Sequence, residues 1–189
     1  LRLKYSSRSL FQGLFGRSWC SNLDLSIERK DDQNLILHNC DTQIPFEGKR
    51  VSRWLAAENE YFESILSENS QESDQIEITK DLYIRRYGAD TWIFTKDGKL
   101  KSVNTKELKA TRIRTKTKDE FIIESIDQTS KLQIVSGRAE TLFKSPKEPI
   151  RFYYKDLRLH KIVPHKSEAV LFKYDKGGKR TRRSGRIEI

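Results

Sequence analysis

Arg112, Arg114, Lys116 and Lys118 alternate with smaller residues at a spacing of two. On a strand that spacing sets all four cations on one face. No acid lies between them, and Lys106 and Lys109 stand just upstream. Like charges crowded on one face repel, so such a face calls for a polyanionic counter-surface, and a nucleic-acid backbone supplies one. The competing reading is the solvated outer face of a half-buried sheet.

A second basic cluster closes the chain. Lys179, Arg180, Arg182, Arg183 and Arg186 are separated only by Thr, Ser and Gly. Arginine forks onto phosphate oxygens, and small neighbours let the backbone come close. Arg151-Phe152-Tyr153-Tyr154-Lys155 interleaves cations with aromatics, a composition that can stack unpaired bases and hold their phosphates. The alternation equally places Phe152 and Tyr154 in a core with Tyr153 outward, and the dominance of aromatics in small cores favours that arrangement. No aromatic signature of an RNA-recognition fold accompanies it, and Gly177-Gly178 lacks the spacing of a phosphate loop.

Catalysis finds little support. Glu107 and Lys109 have a carboxylate-x-lysine spacing, and Asp90 and Asp119 are conceivable partners, but such triplets arise by chance in a chain this rich in Glu and Lys. His38, His160 and His165 have no nucleophile context. Cys20, His38 and Cys40 lack the tight paired spacing of a zinc site. The expectation is a protein that is not an enzyme, with no catalytic residue, metal or cofactor.

The charge is divided along the chain. Residues 1–23 carry four bases and no acid; residues 24–80 carry 13 acids and 6 bases; residues 81–189 carry 27 bases and 14 acids. Hydrophobic residues make up 35% and charged residues 34%, so the core is modest in size. Two cysteines make no disulfide framework and suggest thiols in a reducing compartment. No apolar run approaches the roughly 20 residues of a membrane-spanning helix.

The acid-free first segment holds arginine, serine and apolar residues at intervals of four: Leu10 and Leu14, then Phe11, Phe15 and Trp19. Those intervals align on a helical stripe, and the composition is that of an organellar transit peptide.

Between these segments the patterning predicts the folding elements. Residues 23–27 and 35–37 read as two strands around a polar turn, and residues 41–48, with Pro45 and Gly48, as a loop. Val51, Trp54, Leu55, Tyr61, Phe62, Ile65 and Leu66 share one helical face, predicting a helix over 51–67. An acidic serine-rich linker follows over 67–74. Beyond it the period becomes two, with a strong hairpin around Asp97-Gly98 and a second across Lys118-Asp119. Further strands are expected near 76–84, 132–135, 150–154, 157–163 and 169–174.

The predicted fold class is α+β and β-rich: a small antiparallel sheet or barrel preceded by a hairpin-helix unit, with basic N- and C-terminal extensions. Its expected divisions are a transit-like arm (1–22), an acidic hairpin-helix unit with its linker (23–74), a basic β-rich domain (75–175) and a basic tail (176–189). The functional expectation is a non-catalytic, RNA-binding structural component of a mitochondrial ribonucleoprotein. Most concretely this is a ribosomal protein of the mitochondrial matrix, contacting rRNA and neighbouring proteins. Arg112, Arg114, Lys116, Lys118, Arg151 and the five tail cations are its expected RNA contacts. The competing expectations are a peripheral accessory subunit of a mitochondrial membrane complex and, behind it, a subunit of a nucleic-acid-processing enzyme.

Overall fold

The computed structural model describes residues 1–6, 8–32, 34–47, 50–55, 60–66, 74–106, 108, 111–117, 120–144, 148–177 and 187–188, with backbone alone for 50–55, 60–66 and 187–188. Its elements are strands throughout. The first seven are β1 (Arg2–Tyr5), β2 (Gln12–Gly13), β3 (Gly16–Arg17), β4 (Trp19–Ser21), β5 (Leu25–Arg29), β6 (Asn34–Asn39) and β7 (Thr42–Glu47). Next come β8 (Arg50–Leu55), β9 (Glu60–Leu66), β10 (Gln75–Ile78), β11 (Leu82–Tyr87), β12 (Asp90–Thr95) and β13 (Leu100–Asn104). The chain continues with β14 (Thr111–Thr115), β15 (Phe121–Ser125), β16 (Lys131–Val135), β17 (Arg138–Phe143), β18 (Pro149–Lys155) and β19 (Arg158–Val163). It ends with β20 (Val170–Leu171) and β21 (Ile187–Glu188).

Two compact units divide these strands: Leu25–Ala110, and Leu1–Asp24 together with Thr111–Ile189. In the first, β5, β6 and β7 form an antiparallel sheet. Strands β8 to β13 form a meander in which each pairs with the next. Short turns close such hairpins when one of their residues tolerates positive φ. Gly98 does so at φ 80° in the turn between β12 and β13. It has a second duty, since Ile27 N–H donates to its carbonyl at 2.9 Å. A Cβ on Gly98 would sit 1.8 Å from the Ile27 carbonyl oxygen. In the same unit the half-buried Arg85 guanidinium forks onto Asp74 at 3.0 and 2.7 Å and lies 4.7 Å from the Trp92 ring centroid. Paired and hydrogen-bonded in this way, the charge escapes the cost of naked burial.

In the second unit, β14 to β19 form another meander. The outer edge of β19 carries β20 and, at Arg158, β3. A separate small sheet sets β1 between β4 and β21. Leu3, Phe15 and Trp19 are completely buried. Trp19 packs on Tyr5 and Phe172, with ring centroids 5.3 and 5.0 Å apart, and Phe15 meets Phe152 edge-on at 5.1 Å. Asp24 organises the turns between: its Oδ1 accepts Leu14 N–H at 2.9 Å, and its Oδ2 accepts Ser21 N–H at 2.7 Å and the Ser21 hydroxyl at 2.6 Å.

The structure corrects the α+β expectation with its hairpin-helix unit: the fold is all-β, with no helix among the described residues. Residues 51–67 contain β8 and β9, paired so that Trp54 stands opposite Tyr61. The apolar residues there fit a helical wheel, but they come as adjacent pairs and are rich in aromatic and β-branched types, which strands favour. Pairing of β9 with β10, beyond the reach of a local window, decides the outcome. The segment 41–48, expected as a loop, contains β7, with Pro45 tolerated because β7 is an edge strand. The period-four stripe at the N-terminus falls in the segment that forms β1 to β4, where Phe15 and Trp19 are core, Phe11 is half-buried and Leu10 is exposed. Neither cysteine is a free thiol, since Cys20 and Cys40 are both disulfide-bonded. The linker residues 67–73 and the tail cations lie outside the described residues.

Two stability predictions follow from these contacts. Gly98→Ala combines a left-handed backbone with a collision on Ile27, and is expected to cost about 2–4 kcal/mol in urea unfolding. Asp24→Asn puts an amide where one carboxylate oxygen accepts hydrogen bonds, and is expected to cost about 1–3 kcal/mol in the same assay. Burial raises the Asp24 carboxyl above its ordinary value despite those hydrogen bonds. Its contribution is therefore fully present below the unfolded pKa and is lost as pH rises through the folded one. Asp24→Asn should remove that acid-side gain, and an unchanged pH dependence would contradict it.

Candidate nucleic-acid interface

Cross-strand partners share a face of a sheet, so the registers of β14 to β19 define two opposite surfaces. One carries Ile123, Leu132, Leu142, Phe152, Leu159 and Ile162, all buried. The other begins with the row Arg112, Glu124, Lys131 and Phe143. The next row runs Arg114, Ile122, Gln133, Thr141, Arg151 and Val163. Tyr153 faces Lys161 in the following row, and Lys155 continues the alternation of β18. Arg112, Arg114, Lys131, Arg151, Lys155 and Lys161 thus share this polar surface. Glu124 is the one acid that the registers place among them, and Glu140 is exposed at the adjoining bulge of β17.

Glu124 decides how the predicted basic strand is used. Its Oε1 accepts from Arg112 Nε at 3.0 Å and also pairs with Arg114 Nε. Its side chain is 14% exposed, against 42% for Arg112 and 55% for Arg114. The repulsion expected between these arginines is relieved from the neighbouring strand, leaving the cluster one net positive charge. Lys116 follows the end of β14 and is exposed. Lys118 and Lys179, Arg180, Arg182, Arg183 and Arg186 lie outside the described residues, as does Lys109. Of the four predicted cations, Arg112 and Arg114 lie on β14, Lys116 lies just beyond it, and only Lys118 is outside the described residues.

The other predicted site residue, Arg151, occupies a more open stretch. Arg151, Tyr153 and Lys155 are exposed, whereas Phe152 is buried and Tyr154 is turned inward. Tyr154 Oη donates to the Ala139 carbonyl at 2.6 Å, and burial pushes its phenol far above the ordinary range. Tyr153 is 45% exposed, and Lys161 Nζ lies 5.9 Å from its ring centroid. The sequence carries no local signal for Lys161, because a bulge between Tyr153 and Tyr154 sets its register. Lys131 was equally silent, as a single lysine at a strand start. The turn that returns β18 to β19 uses positive φ at both Asp156 (48°) and Leu157 (66°). This is the signature of a tight hairpin, and it sets Lys155 opposite Arg158.

The long-range electrostatics follow the units. Leu1–Asp24 with Thr111–Ile189 holds 24 bases and 11 acids, a net charge of +13; Leu25–Ala110 holds 13 bases and 16 acids, a net charge of −3. Folding joins the basic arm to the basic C-terminal half.

The metal and membrane candidates are placed elsewhere. His38 pairs with Glu28 at 2.9 Å on the surface. No group of three or more His, Cys, Asp or Glu among the described residues is arranged to hold a metal ion. Phe15 and Trp19, which an interfacial arm would turn outward, are core. No helix among the described residues is long and apolar enough to cross a membrane. No family model matches the chain, and neither a curated protein nor a solved structure matches it.

Proposed function

We propose that the protein is a non-catalytic RNA-binding component, and that the polar face of β14 to β19 carries the phosphate backbone. The observation that supports this is the gathering of Arg112, Arg114, Lys131, Arg151, Lys155 and Lys161 on one sheet face, where Glu124 is committed to two of them and Glu140 is exposed at the adjoining bulge. Each phosphate neutralised releases a condensed counterion, so the affinity depends steeply on salt. The finer placement in the mitochondrial matrix, as a ribosomal protein, rests on the acid-free composition of the first 23 residues. The burial of Leu3, Phe15 and Trp19 gives that composition a second explanation. A second reading, an extracellular sulfated polysaccharide on the same face, is favoured by the disulfide-bonded cysteines, because disulfides persist in oxidising compartments.

Fluorescence anisotropy with a labelled oligoadenylate tests the proposal. The triple variant Arg151→Gln, Lys155→Gln, Lys161→Gln is expected to lose about tenfold or more in affinity near 0.1 M salt. Its salt slope should be shallower by about 2, the value for three phosphate contacts on a single strand. Glu124→Gln should act in the opposite direction and tighten binding, because it frees Arg112 and Arg114. Wild-type affinity and slope in the triple variant would sink the proposal. A heparin fragment binding more tightly than RNA at equal salt would move the assignment to the polysaccharide.

A further inference from the structure

The face is not uniformly ionic. It holds one exposed aromatic ring, Tyr153, set between Arg151 and Lys155 on its own strand and opposite Lys161 across β19. An exposed tyrosine ring offers a flat apolar face for stacking, and the cations around it favour a polyanion over an electroneutral protein patch. A base is flat, and the phosphates on either side of it carry the charge that the flanking cations need. In a duplex the base faces are already stacked and out of reach of a ring on an open sheet. Resting on the RNA reading above, we infer that Tyr153 is a base-stacking platform and that the ligand is single-stranded. Arg151, Lys155 and Lys161 hold the phosphates flanking the stacked base. Arg112, Arg114 and Lys131 extend the backbone track away from it across β14 to β16. Phe152 and Tyr154, next to it on β18, contribute nothing to stacking because they point into the core.

The full chain can be tested with three probes at equal salt: a single-stranded oligoadenylate of about ten nucleotides, a duplex of the same length, and inorganic polyphosphate. Tyr153→Ala is expected to lose on the order of tenfold in affinity for oligoadenylate and nothing for polyphosphate, with Tyr153→Phe restoring the wild-type value. Wild type should prefer the single strand to the duplex. In a second measurement, 2-aminopurine placed within the oligonucleotide should be quenched on binding to wild type and to Tyr153→Phe. Full affinity for oligoadenylate in Tyr153→Ala, or absent quenching in wild type, overturns the platform. The proposed function would survive that result if the charge variants still lose affinity. If neither the charge variants nor Tyr153→Ala change binding, both readings fall together. Loss of polyphosphate binding in Tyr153→Ala would show a charge or folding effect and would also count against stacking.

Discussion

Burial of Trp19 is the interaction on which the basic unit depends. Its indole N–H donates to Tyr174 Oη at 3.0 Å, and Tyr174 in turn donates to the Leu159 carbonyl. The indole is closed in by Tyr5 and Phe172. This cluster ties a segment near the start of the chain to one about 155 residues later. Ordering the long intervening loop is entropically unfavourable, and a fully buried aromatic with its polar atom satisfied is the kind of contact that offsets it. The Phe15–Phe152 contact, the β3–β19 pairing and the hydrogen bond from Ala139 N–H to the Leu14 carbonyl join the same segments.

The charge distribution follows from that junction. An arm with four bases is added to a half already rich in lysine and arginine, so the unit reaches +13 while the other stays near neutrality. Self-repulsion on this scale is tolerated because the cations are spread over a sheet face and loops, and because Glu124 partly neutralises Arg112 and Arg114. The other unit treats the half-buried Arg85 differently. Arg85 is enclosed by Asp74 and Trp92, and it serves packing and not solvent-facing charge. One chain thus contains both uses of arginine, distinguished by whether a carboxylate and an aromatic surround it.

Much of the strand content was legible in the residues. The hairpin at Asp97-Gly98, the pairing of 111–115 with 121–125, and the inward set of Phe152 and Tyr154 all follow from period-two alternation and turn chemistry. The helix expected over 51–67 fails because adjacent apolar pairs fit either period, and the deciding partner, β10, is remote. The period-four stripe of the arm misleads for the same reason. Of the candidate interface, Arg112, Arg114 and Arg151 were visible as alternation. Lys131 and Lys161 were not, because their place on the face comes from registers across other strands. The state of Cys20 and Cys40 was also hidden, since spacing alone does not reveal whether two cysteines become disulfide-bonded.

By itself the sequence determined the local hairpins and the basic excess, because turn residues and alternation act over a few positions and charge is simply additive. Only the tertiary structure decided that the arm belongs to the C-terminal unit, that Glu124 stands between Arg112 and Arg114, and that Lys161 lies beside an exposed Tyr153. The reason is physical. Strand register and aromatic burial are selected by packing among segments far apart in the chain, and a β-bulge of one residue is enough to change which side chains share a face.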